Sequence, residues 1–216
     1  TYNMNLDSYE DLLYSQQKTL KIMYGDAISS YSSIVTVSTE YIPDKFITGD
    51  FNHDGKIDIA YINIKNSSLS LIFAKNESEF YDEIVYLKRN GIADLIPFYS
   101  KFINGLAIIS TTGELTFVTN LNSITNNINI IAGVEPSALN YFDKDNNGIT
   151  DICYIDKYDK SLKLVTRDNG GIPSNYYSIR LNEFHDEIKT LNISQNLKSF
   201  YCYSEGGRLI EIIHID

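Results

Sequence analysis

Two acidic segments of this chain, GDFNHDGKIDIAYI and YFDKDNNGITDICYI, share one pattern and indicate an internal repeat. Aligned on the last Asp of each loop, Asp58 and Asp151, they lie 93 residues apart. A third copy lies between them: GLAIISTTGELTFV begins at Gly105, 47 residues after Asp58 and 46 before Asp151. Steps of 47 residues backward and 48 forward reach two further copies, which begin at Asp11 and Ser199. A fixed period of this length is typical of repeat architectures, and it restricts the possible folds more than any single motif does.

Each unit is predicted to consist of short strands joined by turns, because its apolar runs are brief and rich in Ile, Val, Tyr, Phe and Thr. The segment DSYEDLLYSQQKTLKIMY could form an amphipathic helix if it stood alone. We predict strands there too, because its partners in the repeat are strand-turn-strand. In the second unit the predicted strands are Lys45–Thr48, Ile59–Ile64, Leu69–Ala74 and Phe80–Leu87.

Four strands in a unit of about 47 residues predict an all-β chain folded as blades of a β-propeller. A β-sandwich is the alternative, but a sandwich gives no reason for a fixed period. The chain is predicted to be one propeller segment whose first and last blades are partial, with the rest of a larger ring supplied by neighbouring sequence. The predicted units are residues 1–40, 41–90, 91–133, 134–183 and 184–216.

The loops between the first two strands of the second and fourth units carry the residues that can bind a metal. Each has oxygen side chains at positions 1, 3, 5 and 9 and a Gly at position 6, which permits a sharp turn. Side chains at alternate positions of a curled loop point to one centre, and position 7 offers its backbone carbonyl, as in loops that surround Ca²⁺ with oxygens. Because the loops bring carboxylates and no thiol to the centre, they favour a hard cation over zinc. Mg²⁺ fits less well, because it requires strict octahedral geometry and keeps its waters.

An EF-hand is the obvious alternative for such a loop, but the pattern departs from it. An EF-hand has Glu at position 12 and a helix on each side. Position 12 is Tyr61 in one loop and Tyr154 in the other, and predicted strands follow both loops.

These loops resemble the DxDxDGxxD signature of the FG-GAP and VCBS repeats, the calcium-loop blades of integrin-α-type propellers. The resemblance covers essentially the whole chain through the period, although the signature is strong in two loops only. It implies an extracellular propeller of seven or eight blades, in which Ca²⁺ rigidifies the hairpin between the first two strands of a blade. The implied ligands of the second unit are Asp50, Asn52, Asp54, Asp58 and the Lys56 carbonyl. Those of the fourth unit are Asp143, Asp145, Asn147, Asp151 and the Ile149 carbonyl.

The other units depart from the signature. The first has oxygen side chains at the right positions but fewer charges and no Gly at position 6, so it is a possible third calcium site. Its implied ligands are Asn3, Asn5, Asp7, the Tyr9 carbonyl and Asp11. The third and fifth units have Pro97 and Leu191 at position 1, and we expect them to be free of metal.

The composition of the chain, its two cysteines and the segment around His185 argue against several other functions. With 18 Lys and Arg against 28 Asp and Glu, the net charge of −10 argues against nucleic acid or an anionic membrane as partner. No apolar run is long enough for a membrane span. Cys153 and Cys202 fall one register step apart on equivalent strands, hence on opposite faces, and are predicted to be buried free thiols. The run containing His185 is interpreted as a solvated charged turn rather than an acid/base site.

The sequence therefore favours a secreted or cell-surface propeller that binds a partner without catalysis. Its ligand is predicted to be a protein or a carbohydrate on a propeller face, as in adhesion proteins, lectins or the scaffold of a large toxin complex. Flanking domains or the remaining blades are further expected partners. The alternative is a propeller-fold polysaccharide lyase or glycoside hydrolase. Such an enzyme needs clustered acid/base residues, and the sequence identifies no catalytic residue.

Overall fold

The computed structural model of the chain describes residues 3–28, 31–99, 104–118, 121, 127–168, 172–194, 197–204 and 210–215. Within these ranges every helix or strand assigned is a strand, and the strands form five antiparallel sheets. This confirms the predicted all-β class and the four-stranded antiparallel sheets. The chain divides into two compact units, Thr1–Leu95 and Ile96–Asp216, and each is described by itself below.

The first compact unit contains a three-stranded sheet and a four-stranded sheet, each with its strands in chain order. The strands of the first sheet are β1 (Leu12–Ser15), β2 (Thr19–Gly25) and β3 (Tyr31–Ser38). Those of the second are β4 (Lys45–Gly49), β5 (Asp58–Asn63), β6 (Ser68–Ile72) and β7 (Ile84–Lys88). Every residue of β5 and β6 is buried, because both faces of these inner strands are covered.

The next strand, β8 (Ile92–Tyr99), begins in the first compact unit and opens a four-stranded sheet in the order β11-β10-β9-β8. The second compact unit also holds a further four-stranded sheet and a three-stranded sheet. The third sheet is completed by β9 (Asn104–Ser110), β10 (Glu114–Val118) and β11 (Asn127–Ile131). The fourth consists of β12 (Pro136–Phe142), β13 (Asp151–Asp156), β14 (Ser161–Arg167) and β15 (Pro173–Arg180). The fifth consists of β16 (Glu187–Ser194), β17 (Leu197–Tyr203) and β18 (Ile210–Ile215).

Within each compact unit a hydrophobic core joins the faces of two successive sheets. In the first compact unit, Leu13, Leu20 and Ile22 of the first sheet pack with Ile59 and Tyr61 of the second. Packing of this kind explains the continuous apolar character of the inner strands, since a sheet covered on both faces has no polar face to give to solvent.

The core of the second compact unit explains the register of the two cysteines. Cys153 of β13 and Cys202 of β17 are free, buried and part of one cluster. Where two sheets stack, one face of the first sheet packs against the opposite face of the second. The predicted offset of one residue along equivalent strands therefore places both thiols in the same core. Phe142 and Phe200 meet there edge to face, with ring centroids 5.1 Å apart.

One predicted strand of the second unit begins later than expected. The sequence predicted its last strand from Phe80, but β7 begins at Ile84, and Phe80 makes only an isolated bridge to Ala74. The intervening Glu83 uses its carboxylate to accept hydrogen bonds from the Tyr61 hydroxyl at 2.6 Å and the Glu40 N–H at 2.6 Å. The Tyr81 N–H still donates to the Phe73 carbonyl at 2.8 Å, so backbone pairing begins near Phe80 as predicted but is interrupted before β7.

Among the described residues no helix has the length and apolarity needed to cross a membrane.

Candidate metal loops

The two acidic loops connect the first two strands of their sheets. Asp50–Asp58 runs from the end of β4 to the start of β5, and Asp143–Asp151 runs from the end of β12 to the start of β13. The first-unit loop, Asn3–Asp11, immediately precedes β1. All three loops therefore enter a sheet at the same place, on the strand whose apolar side chains build the core.

Two positions of these loops have left-handed backbone. At position 6, Gly55 and Gly148 have φ values of 81° and 79°, which confirms the role predicted for glycine there. Position 4 is also left-handed: φ is 63° at His53, 57° at Asn146 and 61° at Leu6. This second turn was not predicted from the sequence, because the three residues share no type: Asn and His are enriched in that conformation, but Leu is not.

The aspartate at position 1 curls each acidic loop around itself. In the second unit Asp50 accepts hydrogen bonds from the Asp54 N–H and the Gly55 N–H, both at 3.0 Å. In the fourth unit Asp143 accepts from the N–H groups of Asn147 at 3.2 Å and Gly148 at 2.9 Å. Both carboxylates are thereby held facing the inside of the loop.

The aspartate at position 9 ties the loop to the sheet. Asp58 is fully buried; one of its oxygens accepts from the Phe51 N–H at 3.0 Å and the other from the Ala74 N–H at 2.9 Å, just after β6. Asp151 does the same with the N–H groups of Lys144 at 2.9 Å and Arg167 at 2.8 Å.

The first-unit loop has this fastening as well. Asp11 is buried and accepts from the Met4 N–H at 2.6 Å and the Gly25 N–H at 2.9 Å. We call this pair of hydrogen bonds the position-9 staple. The sequence analysis predicted these aspartates only as metal ligands; the recurrence of Asp at position 9 in three units was the available signal.

Burial makes the charge of Asp58 and Asp151 costly. It raises the pKa of Asp58 to about 6, against the lowering effect of the two backbone hydrogen bonds, and Asp54 and Asp50 raise it further by repulsion. The pKa of Asp151 is also raised, first by burial and then by Asp145 and Asp143. A nearby cation would stabilise the charged form of each carboxylate.

The fourth-unit loop presents a compact group of carboxylates. Oxygens of Asp143, Asp145 and Asp151 all lie within 4.8 Å of one another. Asn147 donates its side-chain N–H to Asp145 at 3.0 Å, while its side-chain oxygen accepts from the Ile149 N–H at 2.7 Å. An all-oxygen donor set of this size fits a hard cation such as Ca²⁺. Among the described residues, no other loop brings three carboxylates this close.

The second-unit loop has similar donors but a different arrangement. Asp54 accepts a hydrogen bond from the Lys56 N–H at 2.9 Å, and its other oxygen forms an ion pair with Lys56 Nζ at 2.6 Å. Asn52 accepts from the Asp54 N–H at 3.0 Å. The side-chain ammonium thus contacts a carboxylate that the resemblance assigns to metal.

The first-unit loop has a network built from amides. Asn3 donates to the Asp7 carbonyl at 2.6 Å, and Asn5 donates to the Asp7 carboxylate at 2.8 Å. The Tyr9 N–H donates to the same carboxylate at 2.6 Å. With two carboxylates, Asp7 and Asp11, this loop offers a cation less charge than either acidic loop.

The third and fifth units present strand residues in place of position 1: Pro97 lies in β8 and Leu191 in β16. Parts of their loops, residues 100–103 and 195–196, lie outside the described residues. At position 9 of the fifth unit, Ser199 shares a hydrogen bond of 2.7 Å with His214 Nδ1. A neutral serine stands there instead of a buried carboxylate.

A polar cleft of about 370 Å³ adjoins the fourth-unit loop. Lys144, Asp145 and Asn147 line one part of it, and Arg167 and Tyr177 line another. Arg167 is buried, donates to the Thr150 carbonyl and stacks its guanidinium 4.3 Å from the Phe98 ring centroid. Burial lowers the pKa of Arg167 to about 10, so the group stays cationic at neutral pH beside Asp151.

The interpretation of the His185 run as a solvated turn is wrong for the histidine itself. His185 is 3% exposed, and its Nε2 lies 3.3 Å from a Glu211 carboxylate oxygen. Leu181 and Ile188, which flank it in sequence, belong to the apolar core. The charged neighbours in the sequence concealed this buried position.

Comparison with known proteins identifies the fold and no family. No family model matches the chain. No curated protein matches it either. Among solved structures, 78 chains are similar.

One similar structure is BBS1N in complex with ARL6DN, soaked with lead. It matches with a TM-score of 0.64 at 14% identity, and the match covers 98% of this chain and 66% of that chain. The mercury-soaked form of the same complex matches with a TM-score of 0.58 at 14% identity, over 95% of this chain and 61% of that chain. A protein from Lactobacillus plantarum matches with a TM-score of 0.54 at 10% identity, over 98% of this chain and 69% of that chain. These neighbours are propeller-type proteins.

The fold is of the β-propeller type. This chain spans about two thirds of the length of the solved chains it matches. At identities this low the likeness extends to the fold and not to function.

Proposed function

We propose that this chain is an extracellular, non-catalytic binding module of the β-propeller type whose acidic loops are stiffened by Ca²⁺. The observation that carries the binding role is the match of 98% of the chain to BBS1N, a propeller-type domain seen in complex with ARL6DN. Propeller folds present a rigid face of loops, and a protein surface is the partner we propose for it.

Calcium in this proposal has a structural role. Its best support is the fourth-unit loop, where three carboxylates lie within 4.8 Å and position 1 is held inward by backbone hydrogen bonds. Asp143, Asp145, Asn147 and Asp151 would hold the ion there, and Asp50, Asn52, Asp54 and Asp58 would hold it in the second unit. The first-unit loop is a weaker candidate, because amides replace carboxylates at positions 1 and 3.

The calcium sites are tested by titration of metal-free protein with CaCl₂ in a calorimeter. We expect two sites, and the loss of one site in each of the variants Asp54→Ala and Asp145→Ala. Heat signals that show no saturable binding would refute the calcium assignment.

The partner class is tested with the purified chain on a protein array and a glycan array, each in Ca²⁺ and in EGTA. We expect saturable binding to protein and none to glycans. Saturable glycan binding would instead support the lectin alternative, and cleavage of a polysaccharide panel would support the enzyme alternative.

A further inference from the structure

We propose that Lys56 acts as a tethered cation that competes with Ca²⁺ for the second-unit loop and so weakens calcium binding there. This inference rests on the proposed calcium role of the loop and concerns how its affinity is set.

The geometry places the ammonium on an oxygen that the calcium proposal assigns to the metal. Lys56 Nζ lies 2.6 Å from one Asp54 carboxylate oxygen, while the other oxygen accepts from the Lys56 N–H at 2.9 Å. Both oxygens of the position-5 carboxylate are therefore engaged by one residue. A metal ion that binds Asp54 is repelled by the ammonium on the same carboxylate, so metal binding favours displacement of the ammonium.

The pair remains charged at neutral pH, so the competition is between two cations. An aspartate carboxylate and a lysine ammonium are both ionised at pH 7. The Lys56 side chain is 40% exposed, so the ammonium can leave the carboxylate for water. Displacement then costs the ion pair but leaves no buried charge.

The fourth-unit loop lacks this competitor. Its position 7 is Ile149, which is buried and carries no charge. Two buried cations lie beside that loop instead: Arg167 donates to the Thr150 carbonyl, and Lys198 donates to the Asn146 side-chain oxygen at 2.8 Å. Because the two loops differ in these cations as well, the effect of Lys56 has to be measured within one loop.

The expected effect is small but measurable. An exposed ion pair changes an equilibrium constant by up to about fivefold. The effect is electrostatic between exposed groups, so salt should reduce it.

The test measures calcium affinity of the second-unit loop alone, in the full chain carrying Asp145→Ala to disable the fourth-unit loop. Titration calorimetry at low ionic strength compares this parent with Lys56→Gln, Lys56→Arg and the control Lys65→Gln. Lys65 lies in the exposed turn after β5, at the opposite end of that strand from the loop, and its substitution changes the net charge equally. Circular dichroism checks that each variant is folded. If a variant carrying Asp145→Ala is unfolded, the same lysine substitution is made in the chain with both loops intact, and its calcium binding is measured by native mass spectrometry.

We expect Lys56→Gln to tighten calcium binding about two- to fivefold, an effect that 0.5 M KCl reduces, while Lys56→Arg and Lys65→Gln leave the affinity unchanged. Equal affinities for Lys56→Gln and Lys65→Gln would overturn the role of Lys56 and leave the calcium sites standing. Absence of calcium binding both in this parent and in an Asp54→Ala protein would overturn the calcium proposal itself. Binding that appears only on Lys56→Gln would support the competition strongly.

Discussion

At the scale of single residues, the aspartate at loop position 9 combines two demands on one carboxylate. It satisfies two backbone N–H groups that are seven residues before it and 14 to 16 residues after it. Each carboxylate oxygen has two lone pairs, so these bonds leave capacity for a metal. The fastening of the loop therefore does not require an ion, and an ion can bind without breaking the two hydrogen bonds.

This separation predicts different costs for two aspartates of one loop. Asp58→Ala leaves two buried N–H groups without acceptors, each worth about 1–3 kcal/mol, so we expect a loss of about 2–6 kcal/mol in the free energy of unfolding, even in EGTA. Asp54→Ala removes a part-exposed side chain and should cost less than about 1 kcal/mol in EGTA. Urea unfolding monitored by circular dichroism measures both. Equal losses for the two variants would show that position 9 has no fastening role.

The buried thiols allow a second prediction at this scale. Burial is the main cause that raises the pKa of Cys202 to about 12, and it also raises the pKa of Cys153. At pH 8 both groups are therefore neutral thiols, and the reactive thiolate is scarce. We expect Ellman's reagent to leave the native protein unlabelled and to titrate two thiols in urea. Rapid labelling of the native protein at pH 8 would contradict this packing.

At the scale of the element, the turns differ in what they require of glycine. Gly133, between β11 and β12, has a φ of 137°, and a Cβ there would lie 1.8 Å from an Asp156 carboxylate oxygen. Gly148 in the fourth-unit loop has a φ of 79°, but a Cβ there meets nothing within 4 Å.

We therefore predict that Gly148→Ala costs about 1 kcal/mol, the strain of left-handed backbone alone. Gly133→Ala should cost clearly more, because it also displaces Asp156 from the Val134 and Glu135 N–H groups at 3.2 and 3.1 Å. Paired thermal melts of the two variants in EGTA measure the difference. A smaller effect at Gly133 than at Gly148 would contradict the described turn.

The elements also show how far the sequence could predict this structure. The period and the β-branched runs placed β4, β5 and β6 within a residue or two, because strand character and repeat position agree there. The start of β7 was missed, since the apolar pattern does not report where backbone pairing with the neighbouring strand is interrupted. In the loops, the sequence predicted the positions of the oxygen side chains and the glycine turns. It did not predict the position-9 staple, the Lys56 ion pair or the burial of His185, because each depends on a partner brought near by folding or on a rotamer.

At the scale of the whole molecule, acidic charge opposes folding unless cations neutralise it. The net charge is −10, and six aspartates are concentrated in the two acidic loops. Two bound Ca²⁺ ions would reduce the net charge to −6. Each ion would also stabilise the folded chain by mass action, by about 2.7 kcal/mol when its concentration is a hundred times the dissociation constant.

Thermal unfolding with excess Ca²⁺ and with EGTA measures this effect on the full chain. We expect EGTA to lower the melting temperature, and Asp145→Ala to lose part of the calcium-dependent increase. Mg²⁺ at the same concentration is the control and should give a smaller increase, because it keeps its waters. An unchanged melting temperature together with calcium-dependent partner binding would place the ion in a recognition site instead.

The staple has a consequence for how such a chain can change over generations. In the first-unit loop positions 1 and 3 are amides, yet Asp11 still fastens its loop to β2. In the fifth unit position 9 is Ser199, hydrogen-bonded to His214. Because fastening needs only the carboxylate at position 9, whereas ion binding would also need positions 1, 3 and 5, a unit without a metal can keep its fold. The loop surface of one sheet can then change by mutation while the other sheets stay as they are.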